Sequence, residues 1–454
     1  MTRVLAVLAL LVALGTASPL AARAEGLIDA LAAAYESNPT IQAQRARLRA
    51  TDEGLPQALA GWRPTVTLAG EAGQQRTETN IGVRDRPEHR DPVTGALTVS
   101  QPLYRGGRTL AGTRRAKNLI EAERARLTGA EQGVLLDAAT AFVDVVRDQA
   151  VLRLNIGNEQ VLTRNLEATR DRFEVGEVTR TDVSQAESRL ERATADRIQS
   201  EGTLASSRAV FEKIVGTVPG ELETPEPPGD LPESRRAALS EAAVKNPNVV
   251  LAQFVEQAAR DDVDVATGAL LPVLSVDGTV SRAYDTAARA SQTDSAKIAA
   301  VVTVPLYQAG AVSSRVRQSK QTAGQRRVEV EIARRDAVEG AATAWEALQT
   351  ARARIGSIQA QIRAADIALT GVREEAAVGA RTVLDTLDAE QELLDARVAL
   401  VRAQRDEIVA GFRLRAAVGR LTARHLGLPV AYYDVEAHYE DVRDKWWGLG
   451  TPSE

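Results

Sequence analysis

The sequence predicts a mixed α/β membrane protein with an internal two-fold repeat, built from long helices and four β-strands. Three observations support this fold class. Short motifs recur at a nearly constant distance, two stretches of 68 residues contain no proline and have helical periodicity, and two other segments alternate with a period of two. After the N-terminal apolar run at residues 4–14, no stretch has about 18 consecutive apolar residues, so no helix is predicted to span a bilayer.

Residues 1–24 are expected to be a secretory signal peptide. Arg3 precedes an apolar run over residues 4–14, and an Ala-x-Ala cleavage site occupies residues 22–24. The apolar run is too short to cross a bilayer as a helix. The protein is therefore expected to be exported, with Glu25 as its mature N-terminus.

The composition argues against several kinds of chemistry. The chain has no cysteine, which removes disulfides, thiolate metal ligands, cysteine nucleophiles and a lipid-bearing cysteine. Its three histidines lie far apart, one of them, His89, in a stretch expected to be an exposed loop. There is no nucleophile elbow and no Walker loop, so we predict no enzyme, no catalytic residue, no cofactor and no metal site. The formal net charge of −5 gives no indication of nucleic-acid binding.

Paired motifs define the repeat. "SNP" ending at Pro39 returns as "KNP" ending at Pro247, and "SQPLYRGG" returns as "TVPLYQAG". The longest pair is "VGEVTRTDVSQAE" and "VGARTVLDTLDAEQ", whose glycines, Gly176 and Gly379, are 203 positions apart. The shift between the copies changes once, inside the first predicted strand pair. The difference in length is therefore confined to one loop.

The repeat predicts two copies, residues 25–216 and 236–419, joined by a proline-rich linker at 217–235 and followed by a tail at 420–454. Linker and tail are both expected to form an equatorial belt. Each copy starts with a short helix, at 28–60 or 236–268. A strand pair, a long helix, a tip turn and a return helix follow: 65–103, 108–175, 176–182 and 183–215 in repeat 1, and 273–306, 311–378, 379–385 and 386–418 in repeat 2.

The long helices are predicted from their lack of proline and from a coiled-coil pattern. A seam with alternating spacings of four and three is formed by Leu135, Ala139, Phe142 and Val146. At 1.5 Å per residue, 68 residues make about 100 Å of helix, too long for one compact domain. Pro56 should kink the first short helix near its end, whereas its repeat mate, Asp264, should not.

Each strand pair alternates between a small apolar face and a mostly polar face. The apolar set is Val66, Leu68, Gly70, Ala72, Val93, Gly95, Leu97 and Val99 in repeat 1, and Leu274, Val276, Gly278, Val280, Ile298, Ala300, Val302 and Val304 in repeat 2. This pattern suits membrane strands and also a soluble half-buried sheet, and the signal peptide favours the membrane. Four strands are too few to close a barrel, so chains must associate, two supplying eight strands or three supplying twelve.

With these motifs in place, the sequence resembles the TolC family of Gram-negative outer-membrane channel-tunnels. The resemblance covers nearly the whole expected mature chain and rests on the two-copy layout, the "SNP" and "KNP" starts, the P-L-Y-x-x-G junctions and, above all, "VGARTVLDTLDAEQ". It implies a homotrimer with a 12-stranded barrel in outer-membrane lipid, continuous with an α-helical coiled-coil barrel across the periplasm. It also implies two partners, a periplasmic adaptor protein and an inner-membrane ABC or proton-driven transporter.

The resemblance also assigns roles at the tip turns. Arg381 matches a tip arginine that latches neighbouring coils together, and its partners match Asp182 and Thr181. Asp385 and Asp388 match paired acidic rings that narrow the closed entrance. Because they lie three residues apart on one helix face, three copies would bring six carboxylates around one axis.

Structural roles compete with gating for some of these residues. Asp182 and Thr382 are each expected to begin a helix, and Asp182 with Gln185 resembles a capping box. The two acidic-ring residues could instead form a solvated helix face. The family's tip tyrosine is Ala376 here, so one closing contact is absent or replaced.

The function these features predict is an exit duct with a periplasmic gate, serving type I protein secretion, efflux of small molecules, or both. A soluble periplasmic adaptor or scaffold with helical hairpins is the main alternative, and a constitutive porin is another. The cargo is left open. Trp446 and Trp447 could pack within the belt or anchor an interface, and the sequence does not choose between these roles.

Overall fold

The computed structural model describes residues 26–78 and 87–451. The expected signal peptide lies outside the described residues. The chain forms two compact units, each assembled from three segments. Unit 1 comprises the described residues up to Gln42, with Ala130–Asn246 and Ala337–Tyr432, and unit 2 comprises those of Ala43–Gly129, Pro247–Asp336 and Tyr433–Glu454.

Helices account for most of the described residues. In chain order they are α1 (Leu27–Ser37), α2 (Pro39–Asp52), α3 (Gly54–Leu59), α4 (Arg108–Glu174), α5 (Arg180–Val215), α6 (Arg235–Lys245), α7 (Pro247–Gly268), α8 (Ala311–Ala377), α9 (Val383–Ala417), α10 (Ala423–Leu426) and α11 (Ala437–Arg443). The two long helices, α4 and α8, each run for 67 residues. None of the helices within the described ranges combines the length and the apolar character needed to cross a membrane.

The short helix that begins each repeat is interrupted, and the prediction of one continuous helix was wrong. Proline is the first residue of α2 and of α7. The residues before these prolines, Asn38 and Asn246, have extended backbones, with ψ of 124° and 129°. The proline ring disfavours helical geometry in the preceding residue, whereas proline itself suits the first position of a helix. The asparagine–proline pairs of the two "NP" motifs therefore divide each helix.

A second interruption, at Glu53, separates α2 from α3 three residues before Pro56. This is the kink that proline was predicted to cause. Helix α7 continues through Asp264 without a break, also as predicted.

The strands lie in unit 2. They are β1 (Thr65–Ala72), β2 (Gln75–Thr77), β3 (Glu88–Arg90), β4 (Val93–Arg105), β5 (Val273–Tyr284) and β6 (Gln292–Thr303). Four of them form an antiparallel sheet in the order β1-β4-β5-β6, and β2 pairs with β3 separately. His89 lies in β3 and is exposed, so it is in a short strand rather than the expected loop.

The register of the larger sheet gathers the apolar positions on one face. Leu68 lies opposite Leu97, and Leu97 lies opposite Val280 on the next strand. On the other face the hydroxyl of Ser100 donates to Asp277 Oδ1 at 2.5 Å. Because side chains alternate along a strand, pairing at this register keeps the two faces chemically distinct across all four strands.

The main core of unit 1 surrounds two buried aromatic rings. Phe142 of α4 and Phe211 of α5 have ring centroids 6.3 Å apart, and both side chains are fully buried. Leu222 of the proline-rich linker and Leu421 and Leu428 of the tail pack into the same cluster. Linker and tail therefore share one core, because their leucines bury against the same helices.

The tail is divided between the two units. Its first part, up to Tyr432, belongs to unit 1, and the part from Tyr433 onward belongs to unit 2. In unit 2, Tyr433, Val435 and Tyr439 pack against a cluster that contains Leu48, Leu55, Ile120 and Leu127. Two successive groups of apolar side chains in the tail thus join different cores.

Candidate functional site: the tip turns

The two tip turns have the same backbone geometry. Gly176 and Gly379 adopt φ values of +82° and +77°, in the left-handed region that glycine enters without steric cost. At the first turn the N–H of Glu177 donates to the carbonyl of Arg172 at 2.9 Å, and at the second Ala380 donates to Glu375 at 2.9 Å. These bonds close the long helices in a Schellman motif, which explains why the glycine is repeated.

The threonine and aspartate of the repeated motif begin the return helices. The hydroxyl of Thr179 accepts from the N–H of Asp182 at 3.3 Å, and Asp182 Oδ2 accepts from the N–H of Thr179 at 2.8 Å. Thr382 and Asp385 repeat this exchange at 3.3 and 2.9 Å. Each pair is a capping box, in which two otherwise unpaired backbone donors are satisfied. The Gly-x-x-Thr-x-x-Asp frame therefore encodes one helix stop and one helix start.

This geometry corrects the sequence interpretation in two respects. Asp182 is the third residue of α5 rather than its cap, and its partner is Thr179 rather than Gln185. The return helices also begin earlier than predicted, at Arg180 and Val383. Thr382 does cap α9, as expected. The capping interpretation placed the box three residues, nearly one helical turn, too late, because threonine and aspartate are both good caps.

Asp385 is held in its ionised form by the cap. The backbone N–H of Thr382 lowers the pKa of this carboxyl most, the Thr382 hydroxyl lowers it further, and the charge of Arg381 adds to both. A carboxylate that accepts hydrogen bonds from such donors resists protonation.

The proposed latch residues are not joined to one another within the described chain. Arg381 Nε donates to Glu375 Oε2 at 2.8 Å in its own turn, and both side chains are about half exposed. The carboxylate of Asp182 accepts a hydrogen bond from the Thr179 hydroxyl, and Thr181 precedes Asp182 at the start of α5. A latch between neighbouring chains would require Arg381 to exchange Glu375 for a new partner.

The two acidic-ring residues have different surroundings. Asp385 is engaged in the cap, whereas Asp388 forms an ion pair with Arg189 of α5. This pair links the return helices of the two repeats. Its aspartate side chain is 57% exposed, so the charge of Asp388 faces solvent while being partly compensated by Arg189.

Glu390 belongs to the repeated motif, but sequence reasoning gave it no role at this site. It is 7% exposed, and its two oxygens accept from Asn165 Nδ2 at 2.9 Å and from Arg373 Nη2 at 2.8 Å. One carboxylate thus joins α4, α8 and α9. Its repeat mate, Glu187, is bonded to Arg170 at 2.6 Å. Each glutamate lies 17 residues after its arginine, and that repeated spacing was the available signal.

A cavity of about 260 Å³ lies beside Glu390. Ala376 lines it, together with Asn165, Arg373 and Leu387. The short alanine side chain therefore faces open space at the position where the resemblance leads one to expect a tyrosine. No group of three or more potential metal ligands occurs among residues 26–78 and 87–451.

The chain has two long helices, each followed by a capped return helix, and a four-stranded sheet with one apolar face. This combination is that of the TolC-like channel proteins. The outer membrane efflux protein family matches residues 30–217 and 238–420. The chain belongs to this family. It is accordingly an outer-membrane channel protein that extends into the periplasm, and the family consists of channel proteins rather than enzymes.

Relatives match over almost the full chain. The outer membrane efflux protein BepC of Brucella suis is 34% identical over 434 residues, which cover 95% of this chain and 93% of BepC. The outer membrane protein TolC of Vibrio cholerae is 26% identical, over 92% of this chain and 97% of its own. The alkaline protease secretion protein AprF of Pseudomonas aeruginosa is 24% identical, over 90% and 87%.

Solved structures agree on the fold. The outer membrane protein VceC of Vibrio cholerae superimposes with a TM-score of 0.74 at 20% identity, covering 87% of this chain and 96% of that one. The CmeC outer membrane channel of Campylobacter jejuni gives 0.78 at 15% identity, over 92% and 89%. At these identities the likeness establishes the architecture alone.

Proposed function

We propose that three copies of this chain close a 12-stranded barrel in the outer membrane and form a continuous exit duct through the periplasm. A periplasmic adaptor and an inner-membrane transporter, ABC or proton-driven, supply the cargo and the energy. The duct contributes its wall and a gate at the tip turns. It serves type I protein secretion, efflux of small molecules, or both. Secretion is supported by the relative AprF, an alkaline protease secretion protein, and efflux by the relative BepC, an outer membrane efflux protein.

The observation that carries this proposal is the pairing of the larger sheet. Its outer strands, β1 and β6, each have one neighbour in that sheet. Its apolar face is strongly exposed, with Leu68 at 82% and Ile298 at 84%. Open strand edges are not tolerated in hydrocarbon, where each unpaired backbone group costs several kcal/mol. Joining β1 of one chain to β6 of the next removes both edges, and the apolar face then meets lipid.

The gate rests on the tip residues. We assign the latch to Arg381 with Asp182 and Thr181 of a neighbouring coil, and the acidic rings to Asp385 and Asp388. The rigid turns built on Gly176 and Gly379 hold these side chains at fixed positions. In a trimer the acidic residues would favour cations at the entrance.

Cysteine cross-linking tests the assembly, since the natural chain has no cysteine to interfere. Ala69→Cys on β1 is combined in turn with cysteine at Lys297, Ala299 or Val301 of β6. Oxidation should yield covalent trimers for at least one register. The control pairs Ala299→Cys with Ala96→Cys on β4, an inner strand, and should give no link between chains. If every β1–β6 combination gives only monomers without a cross-link, the proposed trimeric barrel is wrong.

Purification and planar-bilayer recording separate this function from the alternatives. A duct requires detergent for extraction and conducts through a gated pore. A protein that is extracted without detergent and never conducts would be the adaptor or scaffold. Constitutive, ungated conductance would identify the porin.

Photocross-linking in cells tests the partners. Val175 and Val378 precede the tip glycines and are 72% and 81% exposed. A photoreactive residue at either position should capture a periplasmic adaptor. The same residue at Leu68, on the apolar strand face, should not.

A further inference from the structure

The C-terminal tail follows a defined course along unit 2. Successive residues of the tail contact successive residues of the segment from Arg45 to Arg63. The guanidinium of Arg45 lies 5.0 Å from the ring centroid of Tyr433, and His438 Nδ1 lies 3.1 Å from Asp52 Oδ2. Farther along, the carbonyl of Lys445 accepts a hydrogen bond from Arg63 Nη1 at 2.6 Å. Arg63 is two residues before the first residue of β1. The tail therefore runs along α2 and α3 and arrives at the base of the sheet.

Charged contacts hold the tail on this course. The side chains of Asp52 and His438 are 1% and 12% exposed, so the aspartate is buried and the histidine covers it. Arg124 binds Glu436 at 2.6 Å and lies 5.4 Å from the ring of Tyr439. Charge-assisted contacts of this kind give the tail from Glu436 to Tyr439 a defined position against α2 and α4.

The tail ends in large apolar side chains that the protein leaves uncovered. Trp446 is 65% exposed, Trp447 is 90% exposed and Leu449 is fully exposed. Arg63 lies 4.9 Å from the ring of Trp446 and fixes it beside the start of β1. These tryptophans do not pack into a belt within the chain, which was one of the two roles that the sequence left open.

Other exposed apolar side chains lie at the same end of the sheet. Tyr104, at the end of β4, is 42% exposed, and Trp62, three residues before β1, is also 42% exposed. Leu306 and Tyr307, just after β6, are 92% and 87% exposed. The tail thus adds two tryptophans to an apolar band that follows the ends of the strands.

We propose that Trp446 and Trp447 anchor the tail in the headgroup region of the phospholipid leaflet that faces the periplasm. The inference rests on the proposed function, because it takes the apolar sheet face to lie in lipid. Tryptophan is enriched at membrane interfaces because its ring is apolar and its N–H can remain hydrated. Arg63 and Lys445 lie beside the pair, and their charge suits lipid phosphates. Continuity with the apolar strand face selects lipid rather than a second protein as the occupant.

Tryptophan quenching by brominated phosphatidylethanolamine in nanodiscs tests the proposal. The chain has four tryptophans, so each group can be isolated by substitution with phenylalanine. Trp62→Phe with Trp345→Phe leaves the tail pair. Trp62→Phe with Trp446→Phe and Trp447→Phe leaves Trp345, which packs against a core cluster of unit 1. Leu68→Trp in a background without the natural tryptophans reports on the strand face.

The tail pair should lose about half or more of its emission with bromines near the headgroup, and less with bromines deep in the chain, as expected of interfacial residues. Trp345 should keep its emission. If Leu68→Trp is quenched and the tail pair is not, the anchor is wrong while the membrane sheet stands. If neither is quenched, both the anchor and the proposed membrane sheet are wrong.

Discussion

The side-chain amide of Asn165 on α4 donates to Oε2 of Glu390 on α9 at 2.9 Å. The other oxygen of Glu390 accepts from Arg373 of α8, and the glutamate side chain is only 6% exposed. The repeat mate of Glu390, Glu187, binds Arg170 but is 46% exposed. One repeated ion pair is thus covered by a third helix and the other is not.

This difference predicts unequal effects of the same substitution. Glu390→Ala removes two charge-assisted hydrogen bonds and leaves Asn165 facing a cavity, which should cost about 2 kcal/mol of local stability. Hydrogen exchange should accelerate over the first turns of α9 and the last turns of α8. Glu187→Ala is the matched control and should change exchange little, because exposed ion pairs contribute about 0–1 kcal/mol. Equal effects in the two variants would contradict the assignment of Glu390 as a link between helices.

The cap of α9 predicts a pH dependence. The pKa of Asp385 is lowered in the fold, so its contribution is complete above the ordinary carboxyl pKa of about 3.9 and is lost as the pH falls through the lowered value. Asp385→Asn should exchange faster than the natural protein near the start of α9 at about pH 6; the difference should begin to shrink below about pH 4 and vanish only below the lowered pKa of Asp385. Comparing both proteins at each pH cancels the intrinsic exchange rate. A constant ratio at every pH would rule out this role for the carboxylate.

The proposed latch predicts a change in conductance. Arg381→Ala should raise single-channel conductance in planar bilayers, or sensitivity of cells to large antibiotics, because a bond between neighbouring coils is lost. Glu375→Gln is the informative control, since Glu375 holds Arg381 in its own turn. Releasing Arg381 should leave conductance unchanged or lower it. Conductance that is unaffected by Arg381→Ala would count against the latch.

The acidic rings predict opposite effects of two neighbouring substitutions. Asp388→Ala should weaken cation preference and block by multivalent cations. Arg189→Ala should strengthen both, because it leaves the charge of Asp388 uncompensated. Asp385→Ala should also weaken cation preference, together with the helix cap. Reversal potentials in a salt gradient measure the preference, and a shift in the same direction for Asp388→Ala and Arg189→Ala would refute the pairing.

Local chemistry made much of this protein predictable. Glycine at the left-handed position stops a helix and threonine with aspartate starts one, so the tip turns were recognisable from short motifs. The lack of proline predicted the long helices, and alternation with a period of two predicted the faces of the strands. These features depend on residues close together in the chain. The breaks at Pro39 and Pro247 were equally local, and the helical periodicity on either side obscured them.

Contacts between segments that are distant in the chain could not be predicted from short motifs. Glu390 and Glu187 occupy matching positions in one motif, yet Asn165 covers only Glu390, because burial depends on which helix packs alongside. Trp446 and Trp447 had two plausible environments until the contact between Arg63 and Lys445 placed them beside β1. A motif specifies the chain's own turn, whereas the neighbours of a side chain are set by the packing of segments that lie far apart in the sequence.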